Sequence, residues 1–430
     1  MFVGVDDTDS PRGMCTTYLM TKIIEETDLD LIGYPSLVRL NPNVPYCTRG
    51  NASLAIRLGK GRGRPIVIGS IGENPIISYP EGEESGNMEE LLELGSTIVR
   101  RYMEHDSMTN PGIVVSRGML PAELYDRAVK SFVELGDVEI LLQQNSALYE
   151  KIGNGRGIIG AAAAISWPAL RVTFELISYG FPFRENGKPL KEEISLSVHR
   201  MGTTFDSFDP ENRRAAMFPS SRTPIIYGIR GSSPSDLIRT RESIPNRTLG
   251  EERYILYRTN QASDDHIIRD PESLKNGESY QVEGYLLDTP VPMEGGHYFA
   301  EIGTRNGNLK IAAFEPTKTF RASFRLLLPG DYVRVYGSYL DGSMHLEKFA
   351  LLARGRSFIR TPPKCSRCGK RMKNRGYRDY RCTSCGARAS SAEYTEEKRS
   401  INCGMYEVPT CARRHLSRPI SLIGGGGDLF

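Results

Sequence analysis

Three carboxylates fall within four positions at the head of the chain, in the run Gly4-Val5-Asp6-Asp7-Thr8-Asp9-Ser10-Pro11-Arg12-Gly13-Met14-Cys15-Thr16-Thr17. Asp6, Asp7 and Asp9 are hard oxygen ligands of the kind Mg²⁺ takes. Crowding them into one turn is costly unless a cation sits there. A Gly-bearing loop with Arg12 follows, then Thr16 and Thr17 where a helical pattern begins at Leu19, Met20, Ile23 and Ile24. A helix N-terminus with small hydroxyl residues suits phosphate oxygens. Asp, Thr and Ser after a strand are also ordinary turn and capping residues. Three acids followed by Arg, Gly and Thr-Thr favour a metal and nucleotide-phosphate site instead.

A second constellation lies near the other end. Cys365-x-x-Cys368 and Cys382-x-x-Cys385 are separated by thirteen residues, and each pair is followed by a glycine, Gly369 and Gly386. Two such knuckles read as a zinc ribbon, a closed tetrahedral structural Zn²⁺ site. Disulfides are the alternative, which a cytoplasmic setting disfavours. Cys15, Cys47, Cys403 and Cys411 lack knuckle spacing. From Arg354 to Arg388 the chain carries twelve Lys or Arg against the single acid Asp379, a net +11. The whole chain is only +3, so the remainder carries −8. An acidic body with one strongly basic module points to a polyanion held by the module, most simply nucleic acid.

Other signals are weaker. Gly59-Lys60-Gly61-Arg62-Gly63-Arg64 lacks the Gly-Lys-Ser/Thr ending of a P-loop and reads as a flexible basic loop. Gly153-Asn154-Gly155-Arg156-Gly157 before a small-residue helix fits either a phosphate approach or a tight turn. Thr259-Asn260-Gln261-Ala262-Ser263-Asp264-Asp265-His266 is polar from end to end just past a strand, which makes it a site candidate.

The elements that must hold these residues are legible in outline. Phe2–Val5 is a short buried strand that delivers the carboxylates, and strand ends in α/β folds are where ligands bind. Residues 1–150 alternate strand and helix patterns, with strands at 37–40, 52–58 and 113–116, a helix at 87–104, and a surface excursion at 59–86 carrying a hairpin near 66–77. Residues 151–270 form a second α/β unit with strands at 171–179, 224–228 and 254–258. Residues 276–355 hold five strands with a helix after the third, the OB-fold arrangement, whose face binds nucleic acid strands. Its aromatics Tyr285, Tyr298, Phe299, Tyr336 and Tyr339 are candidate base-stacking groups. The ribbon occupies 360–390, and a polar C-terminal helix with a Gly-rich tail fills 391–430.

At 430 residues the chain is too long for one core. Its 39% apolar and 25% charged content is that of a globular protein. It has no apolar stretch of membrane-spanning length, and a strand begins almost at once, leaving no room for a signal peptide. The expected location is cytoplasmic, with no membrane and no obligate protein partner evident.

With these residues in place, the chain resembles the archaeal isoleucine-tRNA 2-agmatinylcytidine synthetase family along its whole length. The match is carried by Gly4–Ser10 with Gly13–Leu19, by Arg39-Leu40-Asn41-Pro42 through Pro45-Tyr46, and by Thr48-Arg49-Gly50-Asn51, Thr109-Asn110-Pro111-Gly112 and Gly155-Arg156-Gly157. It continues through Tyr227-Gly228-Ile229-Arg230-Gly231, Glu315-Pro316-Thr317-Lys318, the four knuckle cysteines and Ala412-Arg413-Arg414-His415-Leu416-Ser417. The resemblance implies a multidomain α/β and α+β architecture: a kinase-like domain, a ferredoxin-like domain, an OB-fold barrel and a zinc ribbon. It implies an ATP-dependent enzyme that attaches agmatine to C2 of the wobble cytidine of the CAU-anticodon isoleucine tRNA, so that this base pairs with A. The C2 oxygen is a poor leaving group. Its phosphorylation makes displacement by the agmatine amine feasible, and the family also cleaves ATP to AMP and pyrophosphate. The resemblance places Asp6, Asp7 and Asp9 on Mg²⁺ and Arg12 against charge developing on the transferred group. It places Thr16 at the family's self-phosphorylation position, with Thr17 a second candidate. Thr8, Ser10, Gly13, Thr17, Arg49, Asn51 and Asn110 fall to nucleotide binding. The target base must leave its stack to be reached.

One departure stands out. Cys47 occupies the place of an expected Lys in the Pro-Tyr-Lys-Thr-Arg-Gly-Asn run, so a cation must come from elsewhere, Arg49 or Lys60. The basic 59–86 excursion is the expected source of a cation for ATP or tRNA. Two rival readings remain at this level. One is a haloacid-dehalogenase-like phosphatase, to which Asp-Thr-Asp is similar although Ser10-Pro11 does not fit. The other is a non-catalytic nucleic-acid-binding protein built on the OB-fold and ribbon.

Overall fold

The computed structural model describes residues 1–47, 50–180, 188–220 and 222–423. Its centre is the opening strand, Phe2–Asp6, paired antiparallel on both sides: with Ala52–Arg62, Val5 opposite Leu54, and with Gly112–Ser116, Asp6 opposite Gly112. Its interior residues are buried because both faces of the sheet are covered. Val3 and Val5 join Ile113 and Val115 in a core under the helices Thr16–Glu26 and Met88–Tyr102. Val114 points the other way, into a core built by the helices Ala122–Lys130 and Gly157–Ile165. The two-residue period of the strand thus feeds two cores at once.

The small-residue helix Gly157–Ile165 lies almost on the sheet backbone. A Cβ on Gly4 would come within 2.3 Å of the Ala161 carbonyl oxygen, and one on Gly112 within 1.9 Å of the Ile158 nitrogen. Only glycine permits that approach.

A single twelve-stranded sheet runs through both N-terminal α/β units. The strand Arg253–Thr259 pairs antiparallel with Thr173–Tyr179 and with Ile66–Ile71, and parallel with Ser36–Arg39. The segment 59–86 lies at the surface and carries the expected hairpin, but it is part of the sheet rather than an excursion from it. The strand Ala52–Arg62 runs on through the glycines, and the hairpin Ile66–Ile71/Asn74–Tyr79 forms the seam between the units. Its Gly and charged residues hide the strand pattern, because only Ile68 and Ile76 of its apolar side chains are buried.

Five strands, Glu278–Leu286, Tyr298–Thr304, Gly307–Ala313, Tyr332–Leu340 and Ser343–Ala353, close into a barrel. The first pairs with both the fourth and the second, and the third runs parallel to the fifth. Helix Lys318–Phe324 packs Phe320 and Phe324 into its core. The ribbon is a three-stranded sheet, Lys373–Gly376, Asp379–Arg381 and Arg388–Ala389.

The expected polar helix beyond the ribbon is a correction. Glu393–Glu396 is a strand paired with Phe358–Thr361, and Gly404–Glu407 is added to the barrel edge at Ser343–Ala353. Tyr394 and Thr395 favour an extended chain once a partner strand is supplied. Among the described residues no α-helix follows Lys318–Phe324. The Gly-rich tail from Gly424 lies outside the described residues. No described helix is long and apolar enough to cross a membrane.

Candidate active site and zinc ribbon

The carboxylates open onto a cavity of about 470 Å³ lined from three directions. The N-terminal unit contributes Asp6, Asp7, Asp9, Thr16, Thr17 and Asn51; the second unit contributes Glu175, Asp206 and Arg230; the returning C-terminal segment contributes Arg413 and His415.

Each acid is held by a different device. Asp6 ends the central strand. Its carboxylate is pressed beneath the small-residue helix, and burial, with the Asp7 charge beside it, pushes its pKa up to about 8. Asp7 adopts a left-handed backbone, φ 58°. Its Oδ2 accepts from Arg156 Nε at 3.1 Å and from the Asn110 backbone N–H at 3.2 Å. Burial raises its pKa to about 6 against the opposing pull of Arg156. Asp9 accepts from Thr16 Oγ1 at 3.4 Å, and Thr16 Oγ1 accepts in turn from Thr8 Oγ1 at 3.1 Å. Buried carboxylates displaced this far upward are carboxylates that a bound cation would relieve. Asn51 and Asp206 share the left-handed backbone of Asp7, at φ 51° and 55°. Asp and Asn tolerate this backbone better than other side chains.

The sequence-derived set divides. Asp6, Asp7, Asp9, Thr16, Thr17 and Asn51 line the cavity. Thr8, Ser10, Gly13 and Asn110 do not. Thr8 orients Thr16, Asn110 holds Asp7, Ser10 Oγ accepts from the Arg12 N–H at 3.0 Å, and a Cβ on Gly13 would abut Glu104. Arg12 turns outward, its side chain 73% exposed and paired with Asp106 at 3.2 Å. Arg49 lies outside the described residues. Lys60, Arg62 and Arg64 are not among the lining residues, which corrects the expectation that they supply a cation to this cavity. Cys47 does line it, with burial raising its thiol pKa.

The cations come from residues that local pattern left without a role. Arg156 reaches Asp7 from the Gly-rich turn. Arg39 is buried, and burial pushes its pKa down to about 10 although Glu175 stands 3.7 Å away. Glu175 also accepts from Arg230 Nε at 3.0 Å and is bonded by Gln261. Asn260 fixes Arg39 by its backbone, Oδ1 accepting at 2.7 Å and Nδ2 donating at 2.8 Å. The polar octet 259–266 is therefore a buried brace behind the site. Arg39, Arg156, Arg230, Arg413 and His415 all sit in motifs that carried the family resemblance. That was the signal available for them.

The C-terminal segment closes the third side. Arg413 pairs with Asp206 and with Glu407 at 2.7 Å, and Arg414 donates to Asn43 Oδ1 at 2.7 Å. His415 is partly buried, and desolvation with the nearby Arg39 and Arg230 charges pushes its pKa well down. The His415 and Leu416 carbonyls accept from Ala262 and Asp264 N–H groups at 2.8 and 2.9 Å.

In the ribbon, the sulfurs of Cys365, Cys368, Cys382 and Cys385 lie within 4.8 Å of one another. The Cys365–Cys385 and Cys368–Cys382 pairs are 3.4 Å apart. Zn–S bonds of about 2.3 Å in a tetrahedron need sulfurs about 3.8 Å apart, so a small relaxation admits Zn²⁺. The knuckles match: the Gly369 and Gly386 N–H groups close onto the Cys365 and Cys382 carbonyls at 2.8 and 3.0 Å.

A mixed α/β body sharing one sheet, a β-barrel, a Cys₄ ribbon and a cavity lined by both carboxylates and arginines define a multidomain protein built around one composite site. The TiaS TCKD domain model matches residues 2–154, the TiaS FLD domain model residues 155–266, and the TiaS C-terminal zinc ribbon domain model residues 362–401. The chain is 42% identical over 425 residues to the isoleucine-tRNA 2-agmatinylcytidine synthetase TiaS of Thermoplasma volcanium, covering 98% of this chain and 97% of that one. It is 35% identical to the protein of the same name from Archaeoglobus fulgidus, with the same coverage. Among solved structures, a complex of TiaS with isoleucine tRNA and ATP superposes with a TM-score of 0.84 at 33% identity, covering 100% of this chain and 98% of that one. A complex of TiaS with isoleucine tRNA, AMPCPP and agmatine gives 0.79 at 30% identity with the same coverage. The chain belongs to the TiaS family.

Proposed function

We propose that this protein is the ATP-dependent ligase that attaches agmatine to C2 of the wobble cytidine of the CAU-anticodon isoleucine tRNA. The observation that carries this reading is the cavity. It brings buried carboxylates and a threonine-bearing helix start to face arginines and apolar side chains of a second unit. The parts correspond to a kinase-like domain, 1–150, a ferredoxin-like domain, 151–270, an OB-fold, 276–355, and a ribbon, 360–390, in a cytoplasmic protein. The barrel order and the parallel pairing of its third and fifth strands support the OB-fold assignment.

Asp6, Asp7 and Asp9 would hold Mg²⁺, which when bound neutralises phosphate charge on ATP. The helix Thr16–Glu26 begins at the cavity wall, and the first-turn N–H groups of a helix start are donors suited to phosphate oxygens. Thr16 Oγ1, bonded to Asp9, is the hydroxyl best placed to accept a phosphoryl group, with Asp9 taking its proton. Arg156, bonded to Asp7, is a cation beside the site where Cys47 offers none. Asp206 is the carboxylate suited to agmatine's guanidinium, because Arg413 already holds it with the same chemistry. Met217, Phe218 and Ile225 beside it form an apolar wall suited to a four-carbon chain.

The test is direct. The pure protein is incubated with ATP, Mg²⁺, agmatine and an unmodified isoleucine tRNA transcript, and the wobble nucleoside is weighed after digestion. A gain of agmatine minus water, absent when the first anticodon base is changed, is expected. Tight tRNA binding with an unmodified nucleoside would overturn the reading in favour of a binding protein.

A further inference from the structure

Two aromatic rings at the cavity have no place in the chemistry above. Tyr46 and Phe132 both line it, and both are 47% exposed. A half-exposed ring on a loose loop needs no explanation. These loops are not loose. Asn41 and Asn43 each donate to the Gly277 carbonyl, at 3.0 and 3.1 Å, and Asn43 also donates to Ser279 Oγ and accepts from Arg414. The loop that presents Tyr46 is thus tied to the barrel and to the C-terminal segment. On the Phe132 side, Ser131 Oγ donates to Glu278 at 2.5 Å. The Phe132 ring lies so close to Gly277 that a Cβ there would meet it at 2.5 Å. The Phe132 ring packs on the Gly277 turn, and the loop leading to Tyr46 is hydrogen-bonded to the same turn.

The Tyr46 ring is also backed. The Arg156 guanidinium sits 4.4 Å from its centroid while Arg156 Nε bonds Asp7. A cation behind the ring polarises it, and its partial exposure leaves surface for a second planar group. The ring is coupled through one arginine to a carboxylate of the reaction centre.

We propose that Tyr46 and Phe132 are a stacking platform for the anticodon-loop bases that flank the target nucleotide, holding the loop splayed while the wobble base enters the cavity. The inference rests on the tRNA reading above and deepens it. Extruding a base costs its stacking with both neighbours. Rigid aromatic rings at the mouth return that stacking to the neighbours without reading their identity. Preorganised rings do so with little ordering cost on binding.

The experiment uses the full-length protein and the CAU transcript carrying 2-aminopurine at the middle anticodon position. Wild type is run first: if it forms no agmatinyl product, the parent reading has failed rather than this one. Given product, wild-type binding quenches 2-aminopurine fluorescence. Tyr46→Ala and Phe132→Ala are each expected to lose part of the quench and to raise the KM for tRNA about tenfold. The KM for agmatine stays unchanged, the KM for ATP stays unchanged in Phe132→Ala, and Tyr46→Phe retains both quench and KM. An Ala variant with wild-type quench and tRNA KM overturns the proposal. So does a rise confined to the ATP KM, which would make the platform an adenine site. Equal melting temperatures for the Ala and Phe variants separate loss of stacking from loss of fold.

Discussion

Gly160→Ala is the substitution on which helix propensity and site geometry disagree most sharply. Gly160 sits inside the helix Gly157–Ile165, where alanine is intrinsically better by about 1 kcal/mol. A Cβ there would stand 1.8 Å from Asp6 Oδ2 and 2.3 Å from Ser53 Oγ. An ordinary carbon–oxygen contact is about 3.3 Å, so something must move by about 1.5 Å. The helix cannot easily rise, because the helices Ala122–Lys130 and Leu135–Gln144 pack over its other face. The Asp6 side chain must therefore turn away. Overpacking of this kind costs about 1–3 kcal/mol, which exceeds the propensity gain and lowers Tm by a few degrees at most. The larger effect falls on chemistry, where displacing a reacting group by about 1 Å costs on the order of 100-fold in kcat. Steady-state product formation by nucleoside mass spectrometry, with tRNA affinity measured in parallel, reads both numbers. Gly136→Ala is the control: it is also helical, and a Cβ there meets nothing within 4 Å, so it should be neutral or slightly stabilising. A Gly160→Ala protein with a rate within twofold of wild type would refute the claim that Asp6 is positioned by the helix above it.

Other consequences can be measured as simply. Thr16→Ala should abolish phosphate incorporation into the protein from γ-labelled ATP while Thr17→Ala retains it, since Thr17 Oγ1 contacts Cys15 Sγ at 3.0 Å rather than Asp9; the reverse result would make Thr17 the acceptor. Chelation of zinc or Cys368→Ser should weaken tRNA binding and release one metal ion per chain by a colorimetric zinc assay, with the melting transition of the α/β body preserved. Lys348→Met should destabilise by about 3–5 kcal/mol in denaturant unfolding, because the fully buried ammonium bonds both Asp264 oxygens at 2.7 and 2.6 Å and its loss strands that carboxylate. Glu347 is buried, which raises its pKa, but the facing His266 at 3.0 Å outweighs burial and brings it down to about 2. A depressed acid stabilises above its unfolded pKa, so the Tm gap between wild type and Glu347→Gln should be full at pH 6 and shrink as pH falls from about 4 toward 2; a constant gap would exclude an ionised Glu347.

Much of the site was readable because its chemistry is local in sequence. Asp6, Asp7, Asp9, Thr16 and Thr17 lie on one strand end and the helix that follows, so twelve consecutive residues specify their neighbourhood. The ribbon was legible for the same reason, its ligands being paired within two tight knuckles. The five barrel strands and their helix followed from alternation bounded by turns, because each buries one face. Local pattern gave the hairpin near 66–77 but not its place in the sheet, which the distant strand Arg253–Thr259 supplies. It failed for 391–403, where the chain becomes a strand because Phe358–Thr361 accepts its hydrogen bonds.

The residue types at the end of the first strand and the clustering of the four knuckle thiols were legible in sequence, since backbone geometry over a few residues suffices for both. What faces the carboxylates is set by contacts between segments far apart in the chain. Arg12, next to them in sequence, turns outward, while Arg156, Arg230, Arg413 and His415 arrive from as far as the C-terminal segment. Their arrival depends on one sheet joining two units and on a terminal segment tied back to both. Those contacts are made by burial and hydrogen bonding across more than 200 residues, and no local pattern encodes such separations.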